Sequence, residues 1–302
     1  MEDDCSPLFI ISAPRSFTSL MAAMLGQHPE AYGVPDLNLF LEDTLQELVV
    51  SMTDIYANQL HGLLRTVAEL YAGEQTMAAI DMAHRWIVKR KDWPTGEVYK
   101  ELSRRVAPLR IVDKSPGYIS RERLQHIRRV FPDAYYLHLI RHPFNMCESL
   151  MKHESGQIIA TLTNSLDYST TDEVIDPQFL WYRTNHTICG FLDNVNDRQK
   201  MQLRVEDFLN DPKHFCKILC HWLGWSWDSA CYEAMLHPED SIYANSGPFG
   251  ANLGNNPDFI KAPRFRQQPI ITGNLSAILP WRPDKQGFYP HVIEMASRFG
   301  YK

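Results

Sequence analysis

Apolar positions along this chain fall into two rhythms. Short unbroken runs, Leu8-Phe9-Ile10-Ile11 and Tyr135-Tyr136-Leu137-His138-Leu139-Ile140, predict buried strands, and Arg110-Ile111-Val112 and Met201-Gln202-Leu203-Arg204-Val205 predict two more. Between them apolar residues recur at helical spacing. Leu20, Met21, Met24 and Leu25 predict a first helix, and Tyr56, Leu60, Leu63, Leu64, Val67, Leu70 and Tyr71 mark a long amphipathic face. Met82 and Trp86, then Val98, Leu102 and Val106, continue it in two more helices, and further helices are predicted over 121–130, 179–195, 213–223 and 228–236. Strands alternating with helices predict an α/β fold with a parallel sheet flanked by helices. The helical block 37–107 is too long for a simple crossover and predicts a cap over the active site, with a structural helical layer as the alternative. Stretches 153–176 and 238–272 follow neither rhythm and predict lid-like loops.

The sharpest local signal is where the first strand ends. Ser12-Ala13-Pro14-Arg15-Ser16-Phe17-Thr18-Ser19-Leu20 reads as strand, tight loop and helix N-terminus. Unpaired amides and the positive helix end suit a phosphate or sulfate, and Arg15, Ser16, Thr18 and Ser19 add side-chain donors. An ordinary turn with an exposed arginine is the competing reading. The ATP-binding pattern G-x-x-x-x-G-K-[ST] is absent, which argues against a kinase. A second strand–loop–helix unit follows at Arg141-His142-Pro143, with Ser149 eight positions after Arg141. Ligands of open α/β sheets bind beyond the strands' carboxyl ends, so one nucleotide with phosphates at both ends could fill both units.

Here the chain resembles the sulfotransferases that use 3'-phosphoadenosine-5'-phosphosulfate (PAPS). P-R-S-x-T-S-L is similar to the family's 5'-phosphosulfate loop, and R-H-P-x-x-x-x-E-S to its 3'-phosphate site. Asp113-Lys114-Ser115-Pro116, Arg204-Val205-Glu206-Asp207-Phe208 and Leu275 to Trp281 are similar to further family segments, in family order. The order of segments most resembles the sulfotransferase domains of bacterial polyketide and olefin synthases. The resemblance implies a P-loop-like sulfotransferase fold, PAPS as donor and adenosine 3',5'-bisphosphate (PAP) as product; the absence of repeats, low-complexity tracts and Gly/Ser linkers predicts one domain over 1–302, and no metal is expected. The resemblance also implies nucleotide contacts from Arg15, Ser16, Phe17, Thr18, Ser19, Leu20, Arg141 and Ser149, and from Arg204, for which a salt bridge with Glu206 or Asp207 is the competing reading. Three residues depart from the pattern: Phe17 stands where the family has glycine, Asp36 where the related domains have glutamate, and Val205 where the family has a tyrosine beside the adenine. Whether the Phe17 ring narrows the loop or turns away is open at this point.

Sulfuryl transfer needs fixed cations where charge develops and a base for the acceptor hydroxyl. Arg15 and Lys114 are the candidate cations, with an Asp113–Lys114 pair as the alternative for the lysine. Asp36 is the candidate base, in Pro35-Asp36-Leu37-Asn38-Leu39, where the related domains carry glutamate; helix capping competes. His138, His142 and His186 are reserve candidates. Glu148 is a candidate to orient Arg141, or a surface residue, and Trp281-Arg282 a candidate wall on the 3' side, with an ordinary buried tryptophan as the alternative for Trp281. The implied acceptor is a hydroxyl, on a β-hydroxyacyl chain tethered to a carrier protein or on a freestanding small metabolite. A non-catalytic PAP-binding protein is the remaining reading. Lys89-Arg90-Lys91, Arg104-Arg105, Arg121, Arg123, Arg128 and Arg129 could dock an acidic carrier, or be solvated helix faces.

The 302 residues are 44% hydrophobic, enough for a sizeable core, and carry a formal charge of −6. That balance argues against general nucleic-acid binding. Met1-Glu2-Asp3-Asp4-Cys5 lacks the basic, then apolar, opening of a signal peptide, and no run of about 18 apolar residues predicts a membrane span. The six cysteines form no C-x-x-C, and Cys216, Cys220 and His221 lack further ligands at metal spacing. Reduced thiols in a cytoplasmic protein are the expectation.

Overall fold

The computed structural model describes residues 6–152, 154–169, 173–267 and 273–302. Its strands are β1 (Leu8–Ile11), β2 (Ala31–Gly33), β3 (Arg110–Asp113), β4 (Tyr135–Ile140), β5 (Leu166–Asp167), β6 (Val174–Ile175) and β7 (Lys200–Arg204). Five form one parallel sheet in the order β2-β3-β1-β4-β7, and β5 and β6 pair as a small antiparallel ribbon. β1 is central: Leu8 sits opposite Val112 on one side and Tyr135 on the other. The strand order departs from β1 in both directions, which leaves a crevice beyond the carboxyl ends of β1 and β4.

The helices are α1 (Thr18–Leu25), α2 (Leu45–Ser51), α3 (His61–Ala72), α4 (Met77–Val88), α5 (Thr95–Val106), α6 (Arg121–Val130), α7 (Pro143–Met151) and α8 (Glu154–Leu162). They continue as α9 (Gln178–Leu192), α10 (Val205–Asn210), α11 (Pro212–Leu223), α12 (Ser229–Met235), α13 (Pro257–Lys261) and α14 (Pro290–Arg298). Local chemistry sets several starts. Thr44 and Glu47 form a capping box at α2, Ser120 caps α6, and Asp211 caps α11 ahead of Pro212.

Alternating side chains divide the sheet's two faces. Phe9, Ile11, Ile111 and Tyr136 pack under α3, α4, α5, α6 and α9, while Leu8, Ile10, Val112, Leu137, Leu139 and Leu203 pack under α1, α10, α11 and α12. Each such fully buried side chain stabilises the fold by roughly 1.5–3 kcal/mol. The block predicted as a cap therefore shares the core of one sheet face. Stretch 153–176, expected to be loop, contains α8 and the β5–β6 ribbon. Both ribbon strands are two residues long, too short for a periodic signal. No helix among the described residues is long and apolar enough to cross a membrane.

Candidate active site

β1 ends in a turn that crosses the left-handed region twice, at Arg15 (φ 63°) and Phe17 (φ 59°). Phe17 is the residue before α1, and no side chain caps that helix. Its first-turn amides thus face the loop with the positive end of the helix dipole. Ser16 is buried, 1% exposed, and its Oγ has no partner among the described residues.

β4 lies beside β1 and delivers the second unit to the same place. Arg141 donates from Nη1 to the Arg15 carbonyl at 2.6 Å. Its guanidinium lies 4.8 Å from the centroid of the Phe17 ring, and its Nε has no partner among the described residues. Arg15 donates from Nε to Ser149 Oγ at 3.2 Å, so the two units touch. The backbone that carries Arg141 is pinned from behind. Trp181 Nε1 donates to the Arg141 carbonyl at 2.8 Å. Glu206 accepts the His142 amide at 2.9 Å and the Tyr301 hydroxyl at 2.7 Å.

Residues Arg15 to Leu20, Arg141 and Ser149 line one cavity of about 260 Å³. Its remaining wall comes from Asn256, Asp258, Phe259, Ala262 and Arg264, on and beside α13. Asp258 Oδ2 sits 2.8 Å from Arg15 Nη1. Sequence reasoning singled out none of these five residues; the only signal was the irregular stretch 238–272 around them.

Asp36 and Lys114 meet deeper in the fold. Lys114 Nζ lies 2.6 Å from Asp36 Oδ1, and the lysine is almost wholly buried. Burial raises the Asp36 carboxyl above its ordinary value, and Lys114 works against that rise. Asp113 does not pair with Lys114. Its Oδ1 accepts the Ser115 amide at 2.8 Å and hydroxyl at 2.7 Å, and Ser115 Oγ accepts the Asn38 amide at 3.0 Å. Burial pushes Asp113 up to about 6 despite the Ser115 hydrogen bonds. Asp36 caps no helix; the short helical turn after it starts at Leu39, with Asn38 before it at φ 55°. The Asp36 backbone lies so close to Gly62 on α3 that a Cβ there would clash with the Asp36 carbonyl. Its amide donates to the Gly254 carbonyl at 2.7 Å. Lys114 and Ser19 together line a small pocket of about 10 Å³, and Ser19 also lines the main cavity.

A sequence model described as the sulfotransferase family matches residues 7–229. The chain belongs to the sulfotransferase family. Among solved structures, this sulfotransferase is similar to the sulfotransferase domain from the curacin biosynthetic pathway: 22% identity, 98% of each chain covered, TM-score 0.80. It is also similar to the sulfotransferase domain from the Synechococcus PCC 7002 olefin synthase, at 23% identity, 98% of this chain and 95% of that one, TM-score 0.72. At these identities the likeness speaks to the fold: a parallel five-stranded sheet flanked by helices. Among curated proteins none matches the chain.

The remaining candidates of this sulfotransferase sit elsewhere. Arg204 does not line the cavity; it forks onto Asp207 at 2.6 and 3.0 Å and donates to the Gly300 carbonyl at 2.6 Å. Arg282 is buried against Asp167, Asp176 and Asp284, and Trp281 donates to Asp176 at 3.1 Å, so this pair ties the C-terminal segment to the β5–β6 ribbon. Glu148 pairs with Lys152 at 3.1 Å on the surface. His138 is fully buried between Asn185 and Gln202, and burial pushes it down to about 4. His142 caps α7 by accepting the Phe144 amide at 3.2 Å, and burial likewise lowers it to about 4. His186 stacks on Tyr182. Among the candidate docking cations, Arg90 lies over the Trp86 ring at 4.0 Å and Arg105 over Tyr71 at 4.5 Å. No cluster of three or more metal-ligating side chains occurs among the described residues.

Proposed function

We propose that this sulfotransferase moves a sulfuryl group from PAPS to an acceptor hydroxyl. One observation carries the reading. The uncapped N-terminus of α1, Arg15, the unpartnered Ser16 Oγ, Arg141 with its unspent Nε, and Ser149 all converge on a single cavity. Cations and donors from two strand ends suit a ligand with anionic groups at both ends. Ser16 to Leu20 and Arg15 are then the 5'-phosphosulfate side, and Arg141 and Ser149 the 3'-phosphate side. Arg204 contributes from a distance, through the β7–α10 turn it braces with Asp207.

The acceptor oxygen attacks sulfur as the bond from sulfur to the 5'-phosphate oxygen breaks. The hydroxyl proton passes to Asp36. Its burial-raised pKa makes it a stronger base than an exposed aspartate. Lys114, held beside Asp36, and Arg15 with the α1 amides balance the charge that moves to the leaving phosphate. No metal enters this scheme.

The order of motifs, which resembles that of the sulfotransferase domains of polyketide and olefin synthases, favours a β-hydroxyacyl chain on a carrier protein as acceptor. We read the chain as one sulfotransferase domain, because strands and helices from residue 8 to residue 301 share continuous core clusters. Its free thiols, buried or half-buried, fit a reducing cytoplasm. The test is turnover of PAPS with carrier-linked β-hydroxyacyl chains and with free hydroxylated metabolites, followed by PAP release. Turnover of free metabolites alone moves the assignment to a freestanding acceptor. PAP binding without turnover on any acceptor refutes the enzymatic reading.

A further inference from the structure

Phe17 is an unusual occupant of an anion loop. It takes a left-handed backbone conformation (φ 59°, ψ 23°) that glycine adopts freely and a residue with a Cβ does not. Core burial does not account for the residue, since it remains 38% exposed. What the ring does touch is Arg141, whose guanidinium carbon lies 4.8 Å from its centroid. Arg141 Nη1 is held by the Arg15 carbonyl at 2.6 Å, while Nε has no partner among the described residues. One carbonyl and one aromatic face thus hold the guanidinium, and a donor is left unspent.

We infer that Phe17 is a positioning residue: its ring pre-orients Arg141 for the nucleotide's 3'-phosphate. The inference rests on the PAPS reading. Arginine carries several rotatable bonds, and fixing them before the ligand arrives removes an ordering cost from binding. The cation–π contact supplies that hold without occupying a further donor, so Nε stays available to phosphate. It also ties the 5' loop to the 3' cation through one side chain.

The experiment titrates wild type, Phe17→Leu, Phe17→Gly and Phe17→Tyr with PAP and with adenosine 5'-monophosphate, and records the melting temperature of each. Phe17→Leu is expected to weaken PAP binding about five- to thirtyfold and monophosphate binding less than about twofold, with Phe17→Tyr restoring PAP affinity to within about twofold. Phe17→Gly takes the observed backbone without strain, so it keeps the test open if the leucine variant does not fold. Equal losses for both nucleotides would mean that the ring contacts base or ribose, or merely shapes the loop, and would overturn the inference. So would undiminished PAP affinity in the leucine and glycine variants. A wild type that binds PAP no better than the monophosphate refutes the PAPS reading itself. A wild-type preference that survives unchanged in the variants refutes only the role of Phe17.

Discussion

Asp258→Asn is expected to tighten nucleotide binding. In the structure the Asp258 carboxylate holds Arg15 at 2.8 Å on the wall of the cavity proposed to take the nucleotide. Both side chains are partly exposed, 22% for Arg15 and 45% for Asp258, so the pair is of the weak kind, about 0.2–1 kcal/mol. An arriving phosphosulfate must displace the carboxylate or bind beside it. Removing the charge removes that competition and the residual repulsion, together about 1 kcal/mol, or about fivefold in Kd. Asparagine keeps the size of the side chain and leaves the backbone bond from residue 258 to Asn256 Oδ1 in place, so the start of α13 is preserved. The assay is calorimetric titration with PAP at low and at high salt. The gain should shrink as salt rises, because screening acts within about 10 Å at 0.1 M. Unchanged or weaker binding at low salt refutes the reasoning. Asp258 would then stay on Arg15 in the complex and belong to the binding geometry.

Arg141→Ala should weaken PAP binding by about 2–3 kcal/mol while barely changing adenosine 5'-monophosphate binding, because a charge-assisted phosphate contact is lost; comparable losses for both would make Arg141 structural. Asp36→Asn should lower turnover roughly 10²–10⁴-fold with PAP affinity nearly intact, and near-normal turnover would remove Asp36 from the mechanism. For Asp113 the sign is that of a raised carboxyl. Its stabilising contribution is complete below about 3.8 and is lost as pH rises through about 6, up to about 3 kcal/mol in all. Asp113→Asn, which keeps an acceptor for Ser115, should therefore gain stability relative to wild type as pH rises from about 4 to about 6 and hold that gain above it in urea unfolding, and a difference that does not change with pH would contradict this.

Much of the fold was legible because β1, β3 and β4 are buried on both faces and most of the helices on one. The unbroken run 135–140 and the periodic segment 121–130 became β4 and α6 with the same limits. β2 was not visible, being three residues, Ala31-Tyr32-Gly33, at a sheet edge. The cation loop was legible for a related reason. Strand, small polar residues and helix in immediate succession leave few backbone arrangements, and Arg15 to Leu20 fall together on the cavity.

What the sequence hides is pairing across distance. Asp36 and Lys114 could each be named from their local segments, yet nothing local says that they meet at 2.6 Å while Asp113 turns to Ser115. That choice is made by backbone packing. Gly62 admits the Asp36 carbonyl against α3, the Gly254 carbonyl takes its amide, and Ser115 takes the amide of Asn38. Three contacts from three remote segments fix the backbone around one carboxylate, and they depend on a side chain glycine lacks, a backbone carbonyl and a serine hydroxyl. The same holds for α13. A five-residue helix in a Pro- and Asn-rich stretch carries no periodic signature, but it brings Asp258 onto Arg15 and Arg264 to the cavity wall. In this sulfotransferase the candidate anion-binding residues are written in motifs. Asp258, which pairs with Arg15, lies outside them, where burial and close approach, rather than pattern, set its place.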